Sequence, residues 1–244
     1  IDRQLTSDLL AFDRPHHNVF YASCARGKDE AVLLAACAQI MLSLSRLAED
    51  LILFSMPEFR YFTLPRDLCT GSSIMPQKYN PDVLELIRGK AALLLGQSTA
   101  ANVILKAMPG GYNRDLQDTK ELYMEGLRVT RTSLRIMKLM AENLKVNPEA
   151  CRAAFAEPGV FATDRALELV AGGMPFRDAY HQVRDHLEDL RGMDPDEVIA
   201  KKTHLGGTNG IDFAALRGRA EAFRAQAAAA QARVDAAFAS LMNV

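Results

Sequence analysis

Tryptophan is absent from the 244 residues, and cysteine is sparse: Cys24, Cys37, Cys69 and Cys151 stand far apart with no C-x-x-C pair. That spacing excludes a zinc knuckle and a disulfide scaffold, and it leads to an expectation of reduced thiols in a cytoplasmic protein. Neither sign of charge dominates, since 29 basic residues face 30 acidic ones for a net charge of −1. There is thus no basic footprint for nucleic acid and no polybasic patch for a membrane surface, which leaves a small molecule or another protein as partner. Long hydrophobic runs are also lacking. The most apolar stretch, AVLLAACAQIMLSL from Ala31 to Leu44, is interrupted by Gln39 and Ser43. It falls short of the roughly 20 residues a bilayer span requires and is read as a buried core helix. The chain opens Ile1-Asp2-Arg3, with neither an initiator Met nor a charged-then-apolar leader, so no targeting signal is visible.

What is present is apolar helix-forming sequence: 49% of the residues are hydrophobic, enough for one substantial core or two smaller ones. Nothing breaks a helix from Lys28 to about Phe54, and Asp29 and Glu30 suit its positively polarised first turn. Pro57 and the aromatic run Phe59, Tyr61 and Phe62 end it and lead into a connector with room for a short extended piece. A second long helix is expected to start with Asn80 as N-cap and Pro81 in the first helical position, and to bury Leu84, Ile87, Ala91 and Leu94. The third begins near Asn113 and carries a seven-residue repeat, Leu116, Tyr123, Leu127, Thr130, Leu134, Met137, Ala141 and Leu144, with a seat skipped near Thr119. Such a seam needs partner helices, and these apolar faces exceed what a small monomer covers, so an oligomer is expected.

After Asn147-Pro148 the helices shorten, to about 148–156, 162–171 and 175–190, before Asp212 caps an alanine-rich helix reaching about Leu241. The expected fold class is therefore all-α. Residues 1–146 form a long-helix bundle domain and 147–244 a smaller helical C-terminal domain.

Chemistry concentrates in Gly71–Lys90, GSSIMPQKYNPDVLELIRGK, where hydroxyls, Lys78 and Asn80 crowd the mouth of a helix. Spacing alone is satisfied by a surface loop before a capped helix. A phosphate-cradling Walker loop is excluded because Gln77, not Gly, precedes Lys78. An S-x-x-K hydrolase is excluded because Met75 and Pro76 occupy the positions its lysine would need.

The run Gly71-Ser72-Ser73-Ile74-Met75-Pro76-Gln77-Lys78, followed by Asn80-Pro81 and Glu85, resembles the signature of the fumarase/aspartase superfamily. Gln77, the D-x-x-E-L-I-R-G continuation from Asp82 to Gly89, and Tyr112-Asn113-Arg114-Asp115-Leu116-Gln117 resemble the argininosuccinate lyase family within it. Phe161–Asp164 and Pro175–His181 resemble that family's small C-terminal domain.

The resemblance implies elimination of arginine from argininosuccinate to leave fumarate, without metal or organic cofactor, in a homotetramer whose active sites several subunits share. It makes Ser72 the base, Lys78 the cation beside the developing charge, and Glu85 the orienter of a histidine on the leaving-group side. Sequence physics alone does not separate Ser72 from Ser73 as base, and it allows Glu85 to be an exposed partner of Arg88. Asn80, Ser73, Tyr112, Gln117 and Lys120 match substrate-binding positions, with Asn113 as a supporting cap and Arg26 as a carboxylate- or loop-holding arginine. The family's histidine lies in an N-terminal region preceding this sequence, so the isolated chain is expected to be inactive. His16, His17, His181 and His186 are read as surface or structural residues with no metal-ligand spacing. Tyr79 departs from the family, whose members often carry a second basic residue there. Two alternatives follow: another fumarate-releasing lyase such as adenylosuccinate lyase, or a non-catalytic crystallin-like protein.

Overall fold

The structure, a computed structural model, describes residues 1–242. In chain order it contains α1 (Arg3–Leu9), α2 (Val19–Cys24), α3 (Lys28–Ser55), β1 (Phe62–Thr63), β2 (Thr70–Gly71), β3 (Tyr79–Asn80), α4 (Asp82–Leu105), α5 (Asp118–Asn143), β4 (Lys145–Val146), α6 (Pro148–Ala153), α7 (Ala162–Ala171), α8 (Phe176–Asp185), α9 (Pro195–Ala200) and α10 (Phe213–Met242). The fold is all-α, and its strands are two-residue ribbons: β1 with β4 and β2 with β3, both antiparallel. Backbone contacts divide the chain into Asn18–Cys151 and a second unit made of Ile1–His17 with residues from Arg152 onward.

In the first unit α3, α4 and α5 pack side by side around Leu34, Met41, Leu84, Leu94 and Met140, all essentially inaccessible. By length and composition alone α3 would pass as a bilayer span. Here it is a core helix, with Leu34, Met41 and Ala48 sealed against its neighbours and Gln39 and Ser43 facing out. The expected α4 face, Leu84, Ile87, Ala91 and Leu94, is buried as its spacing implies.

On α5 the seven-residue repeat is half right. Leu116, Thr130 and Met137 are buried, with Tyr123 and Leu144 partly so, but the companion positions Leu134 and Ala141 are exposed. Their place is taken by Thr119, Gly126, Ser133 and Met140, one position earlier in each heptad. The reason is space. A Cβ on Gly126 would lie 2.5 Å from Leu34 Cδ2 and 2.8 Å from Leu94 Cδ1, so the three helices meet across a glycine too closely for a leucine. Thr119 and Thr130 turn their buried hydroxyls back onto the carbonyls of Leu116 and Gly126, which satisfies them without breaking the seam.

The second unit has a smaller core, in which Phe155 and Phe161 stack at 5.8 Å beside Val183, Leu190 and Val198. Arg152 bridges Asp194 and Asp196, while Glu168 accepts from Lys201 at 2.7 Å and from Arg165 at 3.1 Å. Asp212 caps α10 by accepting the Ala215 N–H at 2.9 Å, as its position before the alanine-rich run leads one to expect.

Two outcomes follow from this packing. Gly126→Val should lower stability by about 1–3 kcal/mol through overpacking. Gly96→Ala, on an exposed helical site with open space around it, should raise it by up to about 1 kcal/mol; urea midpoints measure both. The hydrogen bond from Lys201, then that from Arg165, holds the Glu168 carboxyl below its ordinary value. A carboxyl depressed on folding stabilises above its unfolded pKa, and that contribution is lost as pH falls through the folded one. Glu168→Gln should therefore cost about 0.5–1 kcal/mol near neutrality, as suits a partly exposed pair, and the deficit should shrink as urea unfolding is repeated toward about pH 3.

Candidate active site

The motif residues from Gly71 to Asn80 form a hairpin. Thr70 pairs with Asn80 and Gly71 with Tyr79, which leaves Ser72–Lys78 as its tip. Ser72 is half-buried at the turn, where its Oγ accepts the N–H groups of Ile74 at 3.2 Å and Met75 at 3.1 Å. The Lys78 N–H closes the tip onto the Met75 carbonyl at 3.0 Å, and its side chain is exposed. At the hairpin's base the Thr70 hydroxyl donates to Asp82, and the Arg66 guanidinium lies 4.7 Å above the Tyr79 ring. Burial, then the Asp82 charge, pushes the neighbouring Cys69 thiol upward.

The start of α4 differs from the expected cap. Asn80 belongs to β3, its backbone committed to Thr70, so α4 begins one residue late, at Asp82, with Pro81 at the cap position and no capping side chain. Glu85 is exposed one turn in. It does not pair with Arg88, whose guanidinium turns instead to Glu49 on α3.

A second group gathers where α4 ends and α5 begins. Arg26 lies 4.7 Å above the Tyr112 ring. Gly27 fixes it there: its φ of +79° suits glycine, and a Cβ would come within 2.7 Å of Leu105. The expected cap Asn113 makes no capping bond to the helical turn that follows. Its amide folds back to the carbonyls of Pro109 at 2.9 Å and Gly111 at 3.4 Å. Gln117 and Lys120 are exposed at the first turn of α5. Cys24 on α2, which sequence reasoning passed over, accepts the Gly111 N–H at 3.3 Å and steadies the segment bearing Tyr112. Both α1 and α2 were missed too; each has an N-cap, Asp2 and Asn18, but is too short to show an apolar period.

The candidate residues therefore fall into two groups. Ser72, Ser73, Lys78, Asn80 and Glu85 stand at one end of α4, and Arg26, Tyr112, Gln117 and Lys120 at the other. A 24-residue helix lies between them, about 36 Å at 1.5 Å per residue. Among the described residues no group of three or more His, Cys, Asp or Glu is placed to hold a metal.

The family model described as a lyase matches residues 3–96. Argininosuccinate lyase of Thermotoga neapolitana is 42% identical over 190 residues, 76% of this chain and 46% of that protein. Argininosuccinate lyase of Xylella fastidiosa (strain 9a5c) is 36% identical over 220 residues, 90% of this chain and 49% of that protein. The similarity to these lyases thus runs along most of this chain. It spans about half the length of the curated lyases it matches. Among solved structures, EDDS lyase in complex with formate superposes over 100% of this chain and 56% of its own, with TM-score 0.78 at 24% identity. Class II fumarase from Schistosoma mansoni covers 73% of this chain and 41% of its own, with TM-score 0.56 at 19% identity. Both share the long-helix fold of this chain.

The base of the hairpin yields a measurable consequence. Asp82→Ala removes both the acceptor of Thr70 and a charge that raises the Cys69 pKa, so the thiolate fraction should increase. Alkylation of Cys69 by iodoacetamide near pH 8, followed by mass mapping, should be several-fold faster than in the parent protein, while Cys37, buried on α3, stays unreactive.

Proposed function

We propose that the protein is an argininosuccinate lyase, releasing fumarate and arginine by elimination, in arginine biosynthesis. The reaction removes a proton from a carbon next to a carboxylate, and the resulting charge must spread into that carboxylate as a doubly negative species. Ser72 is the base and Lys78 the cation waiting at the developing charge. A serine hydroxyl serves as a base only if its anion is stabilised, and one observation carries this reading: two backbone N–H groups, of Ile74 and Met75, already point at Ser72 Oγ. Ser73 has no such partners among the described residues, which favours Ser72 over its neighbour. Glu85, exposed in the single chain, is assigned to orienting a histidine contributed from outside this sequence.

The substrate-binding residues Asn80, Ser73, Tyr112, Gln117, Lys120 and Arg26 then belong to a site built by more than one chain. The separation along α4 supports this, because one chain's hairpin end can be completed only by the Tyr112 end of another. A homotetramer is the assembly assigned, supported by apolar side chains left exposed along the bundle, among them Val32, Leu47, Leu86, Leu93 and Met124. The four unbridged cysteines support a cytoplasmic setting.

The test uses the full-length protein and ultraviolet detection of fumarate from argininosuccinate and from adenylosuccinate. Fumarate is expected from the first alone. Ser72→Ala should slow its release about 100- to 10,000-fold and Ser73→Ala far less, with Lys78→Met about 100- to 1,000-fold slower in a folded protein. Co-assembling Ser72→Ala with Tyr112→Ala subunits should restore part of the activity, since some sites then receive an intact hairpin and an intact Tyr112. Absence of fumarate from either substrate would leave the crystallin-like reading standing.

A further inference from the structure

A cleft of about 340 Å³ opens beside the hairpin, lined among others by Arg60, Phe62, Leu64, Arg66, Tyr79 and Asn147. We infer that it is a binding site for a small organic dianion, a dicarboxylate with an apolar middle, clasped between the Arg60 and Arg66 guanidinium groups over Phe62 and Leu64.

Three observations carry the assignment. Neither arginine has a carboxylate partner among the described residues: Arg60 spends only its Nε, on the Pro57 carbonyl at 2.7 Å, and the Arg66 guanidinium lies 4.7 Å over the Tyr79 ring. Both line one cavity, and the remaining N–H groups of each guanidinium are a planar donor set of the kind that receives carboxylates. The backbone also holds Arg60 at an uncommon conformation, φ +55°. That turn closes the end of α3, with the Arg60 N–H donating to the Met56 carbonyl at 2.8 Å and the Tyr61 N–H to that of Phe54 at 2.9 Å, and so fixes where the Arg60 side chain leaves the backbone. Finally, the lining combines these two cations with Phe62 and Leu64, the mixed make-up of a small-molecule site rather than of a surface charge cluster.

Tyr79 directly follows Lys78, so the site adjoins the hairpin without using any side chain assigned to elimination. Binding is therefore measured directly and does not rest on the lyase reading. Isophthalate is the probe, with neutral isophthalamide as its control, titrated by calorimetry into the full-length protein at two ionic strengths. Saturable binding of isophthalate is expected, weakened by salt and absent for isophthalamide. Arg60→Gln and Arg66→Gln should each weaken it about tenfold or more. Arg60→Gly should lose binding while its thermal midpoint holds or rises, because the left-handed turn is then unstrained. Ser72→Ala should leave the affinity unchanged. Equal affinity in the arginine variants, equal binding of isophthalamide, or loss of binding on Ser72→Ala would each overturn the assignment, whatever the fumarate assay reports.

Discussion

The close approach of three helices at Gly126 governs the rest of the bundle unit. With Leu34 and Leu94 seated where a Cβ would stand, α3 and α4 press against α5 more tightly than any larger residue permits. That contact makes α4 a stiff strut rather than a solvated helix. Whatever is fixed to its ends is fixed in space: the motif hairpin through Asp82 at one end, and the Arg26–Tyr112 pair through Gly27 and Leu105 at the other.

The hairpin itself is built from short-range bonds. Its two-residue ladder, the Thr70–Asp82 clasp and the Arg66–Tyr79 stack hold the base, while the tip is closed only by its own backbone and by Ser72 Oγ. The base is thus held by three kinds of contact and the tip by local bonds alone. Tyr79, where the motif resemblance leads one to expect a basic residue, has a cation beside it all the same. Arg66 supplies a cation on its face, so positive charge is kept beside Lys78 by a different route.

Much of this was legible from residue order, and the failures have physical causes. The bounds of α3 and the buried face of α4 follow from helix period and from Pro57 and Pro81, because both helices are long enough for burial to impose a pattern. Asn80 was misassigned as a cap because N-cap preference is local, whereas strand pairing with Thr70 depends on a residue ten positions away. Glu85 and Arg88 show the same limit: an i, i+3 pair was available within α4, and Glu49 on another helix took the arginine. The motif named the candidate residues by resemblance, and the order of the helices already set residues 72–80 before α4 and 112–120 after it, but no pattern in the sequence reveals that Arg60 and Arg66 line one cleft.

The half-correct repeat on α5 is the most informative discrepancy. Leucine at 134 and alanine at 141 keep a heptad that the chain's own core does not use, since Gly126, Ser133 and Met140 occupy that core instead. A helix that is apolar on one face needs one partner surface; a helix with a second apolar seam, rotated toward solvent, needs another. Leu134 and Leu139 on α5, Leu86 and Leu93 on α4, and Val32 and Leu47 on α3 together leave outward-facing apolar surface on all three helices. Covering these seams with further copies of the bundle would hide them and, in antiparallel register, would carry one copy's hairpin end to another's Tyr112 end. The exposed apolar surface and the separation of the two candidate groups along α4 thus support the same proposed assembly.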